Sequence, residues 1–339
     1  MSNAEIILLG ASAASQPASV TFARGILRHL PNLLPQHRFV RDTSYSVVLD
    51  FPDFPEADAP DQSCTLCLSV ESTPELLVDD YRCLSLTGTY DFGVPDHPWW
   101  RFWQRAPTGD ATLAWVGYAL EKMFVPHADL RDFLIDHGHP HPERIHVVGH
   151  GPVENDLRPV DSVARRITKE VYGKEASYFL APTPANAAHL LAGYAHFRRR
   201  CPEPVRLLIA GADKALRRDV KKHPFAADIT LLSELPAHEY AKVFASARAL
   251  IDLSSGEIFP TVILDAWAVG VPVLSHSKGI LLGGGAQVQR GEEGSIGQEL
   301  VELVTTPFLA SGLVDNGTRR LAEFTWERTA ARVAEHLRT

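Results

Sequence analysis

Residues 249–276 read Ala-Leu-Ile-Asp-Leu-Ser-Ser-Gly-Glu-Ile-Phe-Pro-Thr-Val-Ile-Leu-Asp-Ala-Trp-Ala-Val-Gly-Val-Pro-Val-Leu-Ser-His. The stretch predicts a buried strand over Ala249–Leu253, then a turn and a helix over Val262–Val269, and a second buried strand over Pro272–Ser275. Pro260 suits the first turn of the helix, where the missing N–H of proline costs nothing. A strand, a helix and a further strand in this order predict one β–α–β unit of a parallel sheet.

The turn before this helix forms a natural anion site. The N–H groups of Ile258, Phe259 and Thr261 are expected to face whatever lies in front of the helix, since first-turn donors have no partner inside it. Two carboxylates flank the position, Glu257 before the helix and Asp265 eight residues later. This arrangement fits a nucleotide-sugar pocket: the helix end holds the diphosphate, and the acids accept hydrogen bonds from sugar and ribose hydroxyls.

The same stretch resembles the Glu-x7-Glu motif of retaining glycosyltransferases of family four (glycosyl transferases group 1), which have the GT-B fold. Their pattern is S-x-x-E-G-F-P-x-x-x-x-E-A-x-A-x-G-x-P-V. The matching residues are Ser254, Glu257, Phe259, Pro260, Ala266, Ala268, Gly270, Pro272 and Val273. Ile258 replaces a glycine of the pattern. Asp265 replaces the second glutamate, keeping its charge with one methylene less.

Strands alternate with helices along the whole chain, which predicts parallel sheets. The opening strand Glu5–Leu9 leads through a loop of small residues to a helix over Val20–Leu34. The other predicted strands are Tyr45–Leu49, Cys64–Val70, Arg82–Leu86, Lys122–Val125, Arg144–Val148, Ser177–Ala181, Arg206–Gly211 and Ile229–Leu232. The other predicted helices are Thr112–Glu121, His127–His137, Ala185–Arg199, Lys214–Lys222, His238–Ser246, Gly297–Thr305 and Trp326–Leu337.

At 339 residues the chain should form about two domains. We predict an α/β fold of the GT-B class, with two Rossmann-like domains facing across a cleft. Residues 1–152 form the N-terminal acceptor domain, and residues 153–325 form the C-terminal domain that binds the nucleotide-sugar donor. Residues 326–339 form a helix that crosses back to the first domain, as the resemblance implies.

The resemblance also implies roles for individual residues. Glu257 is expected to act in catalysis by binding hydroxyls of the transferred sugar, and Asp265 to bind the ribose. Pro260, Phe259, Ile258 and Thr261 would surround the donor phosphates. From the residues alone, an alternative stays open in which Glu257 caps the helix and Asp265 is a solvated acid on its surface.

Three further segments complete the predicted site. Gly10 and Ala11 follow the first strand and would approach the donor phosphate, although an ordinary turn is an equal alternative. Tyr90 and Asp91 stand where the family has V-H-D-x; Asp91 would take part in catalysis by contacting sugar or acceptor, or would cap its loop. Leu235 lies in the loop expected to contact the base, and with His238–Ser246 it is similar to the family's L-G-x-V-x-x-x-E-L-x-x-L-Y region.

An aromatic cluster over 97–105 contains three tryptophans, one phenylalanine and two arginines. Trp99 and Trp100 are candidate acceptor contacts, because aromatic faces stack on sugars. Two alternatives stay open. Tryptophan and arginine are enriched at membrane interfaces, and large apolar residues are usually buried in a core.

The family's arginine and lysine for the diphosphate are missing. They normally follow the first strand of the second domain, in a G-x-x-x-x-x-K-N setting. Here residues 181–189 read Ala-Pro-Thr-Pro-Ala-Asn-Ala-Ala-His, where Asn186 fits the pattern and no arginine or lysine is present. Candidate replacements are Arg24, Lys214 and Lys278. Without one of them, electrostatic stabilisation of the transition state would weaken.

Composition and charge limit the remaining classes of function. A net charge of −8 argues against a general nucleic-acid binder. No apolar run reaches the ~18 residues of a membrane span, and no signal-peptide pattern opens the chain. Cys64 and Cys67 form a C-x-x-C without a second pair, which argues against a metal site at these cysteines. The family resemblance implies catalysis without a bound metal, and we expect no cofactor apart from the nucleotide-sugar co-substrate. These features predict a cytoplasmic protein, with peripheral contact at the inner face of the membrane as an open alternative.

The favoured hypothesis is a retaining, metal-independent glycosyltransferase that acts on a glycan or lipid-linked acceptor in bacterial surface polysaccharide synthesis. A second hypothesis is a catalytically inactive GT-B scaffold that binds a glycan, a nucleotide or a partner protein, which the missing cations favour. A third is an isomerase of a nucleotide sugar, such as an epimerase. It would need further acid–base residues that the sequence does not identify.

Overall fold

The computed structural model describes residues 4–9, 17–42, 66–69, 83–86, 120–152, 159–232, 237–254, 259–277, 280, 286–287 and 293–338. The chain forms two compact units. The first contains Met1–Gly151, Gly256–Phe259 and Phe324–Thr339, and the second contains Pro152–Ser255 and Pro260–Glu323. The predicted domain boundaries stay a prediction. The short segment ending at Phe259 thus belongs to the first unit, although the chain on either side of it belongs to the second.

The first unit is built on a parallel sheet with the spatial order β2-β1-β3-β4-β5-β6. Its strands are β1 (Ala4–Leu9), β2 (His37–Asp42), β3 (Leu66–Ser69), β4 (Cys83–Leu86), β5 (Lys122–Val125) and β6 (Ile145–Val147). This is a doubly wound order, in which the chain reverses direction across the sheet between β1 and β3. The strand β2 was not predicted, and the predicted strand Tyr45–Leu49 lies outside the described residues.

The described helices of the first unit are α1 (Pro17–Leu27), α2 (Leu30–Leu33), α3 (Ala128–Asp136) and α11 (Trp326–Leu337). The prediction of one helix over Val20–Leu34 was wrong, because the helix is interrupted after Leu27. In a continuous helix Pro31 would leave the carbonyl of Leu27 without its donor and press its ring against that carbonyl. The chain therefore starts a second, short helix that has Pro31 in its first turn, where the missing N–H is tolerated.

The core of the first unit depends on a close contact between the chain's last helix and two glycines. Trp326 is buried and packs with Phe22 and the rest of the core. A Cβ atom on Gly25 would lie 2.3 Å from the indole of Trp326, and one on Gly151 would lie 2.4 Å from it. Since real Cβ atoms do not approach so closely, only glycine fits at these two positions.

The second unit is built on a parallel sheet with the order β12-β11-β10-β7-β8-β9. Its strands are β7 (Tyr178–Ala181), β8 (Arg206–Ile209), β9 (Ile229–Leu231), β10 (Ala249–Asp252), β11 (Val273–Ser275) and β12 (Ala286–Gln287). Its helices are α4 (Ser162–Gly173), α5 (Ala187–Arg200), α6 (Lys214–Lys222), α7 (Ala237–Ser246), α8 (Thr261–Ala268), α9 (Glu293–Thr305) and α10 (Pro307–Leu321). Two parallel, Rossmann-like sheets confirm the predicted fold class.

Most predicted elements of the described ranges are present, with ends that differ by a few residues. Besides β2, the described elements that were not predicted are β12, α4 and α10. The helix α10 contains Gly312 and Gly317, which have low helix propensity. Gly317 is required by packing, since its missing side chain leaves room for the indole of Trp267. Of the predicted helix Thr112–Glu121, residues 112–119 lie outside the described part of the chain.

Every helix in the described ranges is too short or too polar to cross a lipid bilayer.

A pair of glycine substitutions tests the packing of Trp326. Gly25→Ala should destabilise the protein by about 1–3 kcal/mol, because the new methyl group has no space beside the indole. Gly312→Ala is the matched control: it is also helical, but a Cβ there meets no atom within 4 Å. The control should gain about 0.5–1 kcal/mol from helix propensity. Urea unfolding measures both values, and a stabilised Gly25→Ala variant would contradict the close contact.

Candidate functional site

The strand order of the second sheet decides where its binding crevice lies. From β7 the chain passes to β8 and β9 on one side, and then crosses to β10 on the other. In open parallel sheets, ligands bind at the carboxyl ends of the strands where the order reverses, because the loops diverge there. The two loops at this point follow Ala181 and Asp252.

Asn186 joins these two loops. Its side-chain Nδ2 donates a hydrogen bond to the carbonyl oxygen of Leu253 at 2.6 Å. Its backbone has a φ of 50°, in the left-handed region that asparagine adopts more readily than most residues. Asn186 directly precedes α5, so this hydrogen bond also fixes where that helix begins relative to the loop after β10.

A buried carboxylate orders the start of the loop after β10. Asp252 is 1% exposed, and its Oδ1 accepts hydrogen bonds from the Oγ of Ser254 at 2.6 Å and from the N–H of Ser254 at 3.3 Å. Its Oδ2 accepts from the Oγ of Ser275 at 3.3 Å, and that Oγ accepts from the N–H of Ser277 at 3.0 Å. Asp252 therefore connects the ends of β10 and β11, immediately before the segment that carries Glu257.

Sequence reasoning did not single out Asp252. The available signal was a carboxylate inside an apolar strand, because a buried charge needs hydrogen-bond partners. The partners themselves, Ser254 and Ser275, come from two different strand ends, so their convergence follows from the sheet and not from local spacing.

The helix α8 begins at Thr261, as the motif predicts to within one residue. Pro260 precedes it and forms no side-chain cap, since a proline side chain has no acceptor. The first-turn N–H groups of α8 are therefore not capped by the preceding side chain. Of these groups, the N–H of Ile263 donates to the carbonyl oxygen of Pro260 at 2.9 Å. The start of a helix also attracts an anion through its dipole.

Asp265 lies one turn inside α8 and is 3% exposed. The alternative in which it is a solvated surface acid is therefore wrong. The hydroxyl of Tyr240 donates a hydrogen bond to its Oδ2 at 2.8 Å. Burial raises the pKa of Asp265 to about 6, while the hydrogen bond from Tyr240 acts in the opposite direction. Burial and the neighbouring carboxylate both raise the pKa of Tyr240, so its hydroxyl keeps the proton.

Phe259 packs inside the first unit. It is 3% exposed, and its ring is stacked on that of His150, with centroids 4.2 Å apart and planes at 8°. His150 also contacts Trp326, at 4.5 Å between centroids. Burial lowers the pKa of His150 to about 3, so the ring is neutral. Its Nδ1 is hydrogen-bonded to the carbonyl of Gly151, and since a carbonyl only accepts, Nδ1 carries the proton. Aromatic packing therefore holds Phe259 within the first unit.

The structure describes only some of the predicted site residues. Those outside the described ranges are Gly10, Ala11, Tyr90, Asp91, Trp99, Trp100, Leu235, Glu257 and Ile258, and their roles stay predictions. Pro260, Thr261 and Asp265 lie together at the start of α8, in the second unit. Phe259 directly precedes them, but its side chain is occupied by core contacts.

One lysine and two histidines lie at the carboxyl edge of the second sheet. Lys214 is the first residue of α6, directly after the β8 loop. His189 is in the first turn of α5, and its ring centroid is 5.7 Å from that of His276, which follows β11. Among the earlier candidates for the missing cations, Lys278 lies outside the described residues and Arg24 lies on α1 of the first unit.

Solved structures resemble the chain over nearly its whole length. HepE of Anabaena, in complex with UDP and glucose, has a TM-score of 0.70 and 14% identity, covering 99% of both chains. Sucrose-phosphate synthase of Thermosynechococcus elongatus has a TM-score of 0.65 and 15% identity, covering 99% of this chain and 98% of its own. WaaG, a glycosyltransferase involved in lipopolysaccharide biosynthesis, has a TM-score of 0.61 and 13% identity. The fold is therefore GT-B.

Sequence comparison also finds similarity to glycosyltransferases. Residues 179–305 match the family model described as Glycosyl transferases group 1. The D-inositol 3-phosphate glycosyltransferases of Rhodococcus opacus (strain B4) and Rhodococcus jostii (strain RHA1) are each 27% identical over 228 residues, covering 61% of this chain and 50% of the relative. The chain thus spans about half the length of the curated relatives it matches. The matched segment contains β7 to α9, and therefore the crevice loops and Asp265.

Removing the charge of Asp265 should stabilise the fold in a pH-dependent way. The carboxyl releases its proton near pH 3.8 when unfolded and near pH 6 when folded. The contribution of this carboxyl to the free energy of unfolding is therefore fully present below pH 3.8, and it is lost as the pH rises through 6. Asp265→Asn should raise the free energy of unfolding by about 2–3 kcal/mol at pH 8 and by little at pH 4. Urea unfolding at both pH values measures this, and an equal gain at both would show that charge burial is not the cause.

Proposed function

We propose that the protein is a retaining, metal-independent glycosyltransferase, which moves a sugar from a nucleotide-sugar donor to a glycan or lipid-linked acceptor. The single observation that carries this proposal is the start of α8, where Pro260 provides no side-chain cap, with the buried Asp265 one turn inside the helix. Both lie at the strand-order reversal of the second sheet, within the segment that matches the Glycosyl transferases group 1 model.

In this proposal the start of α8 binds the diphosphate of the donor. When the bond between the sugar and the nucleoside diphosphate breaks, negative charge builds on the leaving phosphate. Preorganised N–H donors aimed at that charge stabilise the transition state without reorganising. The leaving phosphate itself takes the proton of the acceptor hydroxyl, so the chain needs no separate base for that step.

In this proposal the two acids bind different parts of the donor. Glu257 accepts hydrogen bonds from hydroxyls of the transferred sugar, and Asp265 accepts them from the ribose. The hydrogen bonds of Asp252 support this role of Glu257, because they order Ser254, three residues before it. The raised pKa of Asp265, about 6, leaves this carboxyl ionised at neutral pH and therefore able to accept two hydrogen bonds or more.

Lys214 takes the place of the missing diphosphate cations in this proposal. It is the first residue of α6, where a positive charge opposes the helix dipole. A lysine in this position is therefore unfavourable for the helix, which supports a role towards an anionic ligand. The imidazoles of His189 and His276 add ring N–H donors at the same edge of the sheet.

The printed names of similar proteins suggest which donor and product to test. HepE has been solved with UDP and glucose and with UDP-glucose, which makes UDP-sugars the first donors to try. WaaG is involved in lipopolysaccharide biosynthesis, which supports a role in bacterial surface polysaccharide synthesis. The inactive scaffold remains the second candidate, and residues 181–189 without arginine or lysine are the observation that favours it.

A panel of UDP-, GDP- and ADP-sugars and the free diphosphates tests the proposal by thermal shift and by sugar release or transfer. A ligand at 100 times its dissociation constant should add about 2.7 kcal/mol of stability. Glu257→Ala should remove the transfer rate, since it removes contacts to the transferred sugar. Glu302→Ala is the matched control, because Glu302 is exposed on α9 and is hydrogen-bonded by Gln298.

Each part of the proposal has its own contradicting result. Binding without any transfer or hydrolysis would favour the inactive scaffold. A product of inverted anomeric configuration, read by NMR, would overturn the retaining mechanism, and loss of activity in EDTA would overturn metal independence. If no nucleotide or nucleotide sugar shifts the unfolding temperature, the site assignment is wrong.

A further inference from the structure

Two residues that differ from the family pattern, Tyr240 and Asp265, are joined by a hydrogen bond. In the pattern L-G-x-V-x-x-x-E-L-x-x-L-Y, aligned on Glu239, a leucine stands where this chain has Tyr240. In the Glu-x7-Glu motif, a glutamate stands where it has Asp265. The structure brings these two side chains together, with the hydroxyl of Tyr240 donating to Oδ2 of Asp265 at 2.8 Å.

We propose that Tyr240 is a positioning residue that holds the carboxylate of Asp265 towards the ribose, and that the pair makes this chain selective for ribonucleotide donors over deoxyribonucleotide donors. The inference rests on the proposed function, because it assumes that Asp265 binds the ribose. Tyr240 acts through Asp265 and is not itself assigned to the reacting atoms.

The geometry explains why a shorter acid needs such a partner. Aspartate reaches one methylene less than glutamate, so a small rotation of its side chain is enough to lose a hydrogen bond to the ligand. Tyr240 is itself held in place, because its ring stacks on Phe244 with centroids 4.2 Å apart. Its hydroxyl occupies Oδ2 and leaves Oδ1 as the second acceptor of the carboxylate. One oxygen of Asp265 is thus used for positioning and the other for recognition.

Tyr240 also favours the ionised form of Asp265. The hydrogen bond from its hydroxyl lowers the pKa of the carboxyl, in opposition to burial, and the balance is about 6. Removing the hydroxyl leaves burial unopposed, so the pKa should rise further. A carboxylic acid that is protonated at neutral pH offers the ribose hydroxyls a weaker acceptor.

The other charged groups on the described elements packed against α8 are paired with other residues or exposed. On α7, Glu239 pairs with Lys242 at 3.4 Å. On β10, Asp252 is hydrogen-bonded by serines. On α10, Asp315 and Arg319 are exposed, while Arg320 pairs with Glu323. Within the described part of the chain, Tyr240 is the ionisable side chain whose contact shifts the pKa of Asp265.

The test compares ribonucleotides with deoxynucleotides. Isothermal titration of UDP, GDP and ADP, each beside its 2′-deoxy and 3′-deoxy form, is performed on the full chain between pH 5 and 8. Wild type should bind its best ribonucleotide about tenfold or more tightly than the deoxy forms at pH 7.5. It should lose this preference as the pH falls through about 6.

Tyr240→Phe should reduce the preference at pH 7.5 to within about threefold, and should move the pH at which it is lost upwards. Affinity for the deoxynucleotides should stay within about twofold of wild type, because these ligands lack a hydroxyl for Asp265. Tyr194→Phe is the control: Tyr194 is a buried tyrosine of the second unit, where Tyr240 is half-buried, and its hydroxyl donates to the carbonyl of Val205 at 2.9 Å. The control should keep both the preference and its pH dependence.

Three results would overturn the inference. In the first, Tyr240→Phe keeps the ribose preference with an unchanged pH midpoint, so the hydroxyl has no role. In the second, the variant loses affinity for ribo- and deoxynucleotides equally, which indicates a structural role. In the third, wild type binds ribo- and deoxynucleotides with equal affinity, which shows that Tyr240 and Asp265 do not recognise the ribose hydroxyls. If wild type binds no nucleotide, the proposed function itself fails.

Discussion

A parallel sheet whose strand order reverses must separate two loops at its carboxyl edge, and the candidate site of this protein is built from that constraint. The loops after β7 and β10 diverge there, and they are joined again by the hydrogen bond from Asn186 to the carbonyl of Leu253. Asp252 adds a second connection, between the ends of β10 and β11. These bonds connect the start of α5 and the ends of β10 and β11 at the carboxyl edge of the sheet.

Two buried carboxylates of the second unit differ in how far hydrogen bonds within the protein compensate their charge. Asp252 is enclosed by serine hydroxyls and an amide, so its charge is compensated by hydrogen bonds within the protein. Asp265 is also enclosed, and burial raises its pKa to about 6 although Tyr240 donates a hydrogen bond to it. The ionised form of a buried carboxylate lowers the stability of the folded protein. A ligand that donates hydrogen bonds to the carboxylate offsets this loss. Destabilising groups of this kind are typical of functional sites.

Much of the fold could be predicted from the sequence, because alternating apolar runs and helical spacing are local properties. The motif stretch gave the order of β10, α8 and β11 to within one or two residues. Predictions from local sequence were wrong at positions where tertiary packing or a proline determines the structure. Pro31 divides the predicted first helix, and Gly317 lies inside an unpredicted helix because the indole of Trp267 occupies its side-chain space.

The sequence motif proposes a position for the candidate site, but it does not reveal the contacts around that position. The resemblance identified Pro260, Thr261 and Asp265, whose order along the chain is fixed by the motif. The partners Tyr240, Ser275 and His150 come from other elements, and nothing in their local sequence marks them. Their contacts depend on how the sheets pack, so they required the structure. Phe259 is an intermediate case, since the motif includes it but does not show that its ring belongs to the core of the first unit.

A crystal structure of the protein with a bound nucleoside diphosphate would test the central claim most directly. We expect the diphosphate within hydrogen-bonding distance of the first-turn N–H groups of α8, and the ribose hydroxyls within hydrogen-bonding distance of Asp265. Density for the nucleotide away from the loops after β7 and β10, or a diphosphate that does not contact α8, would contradict it.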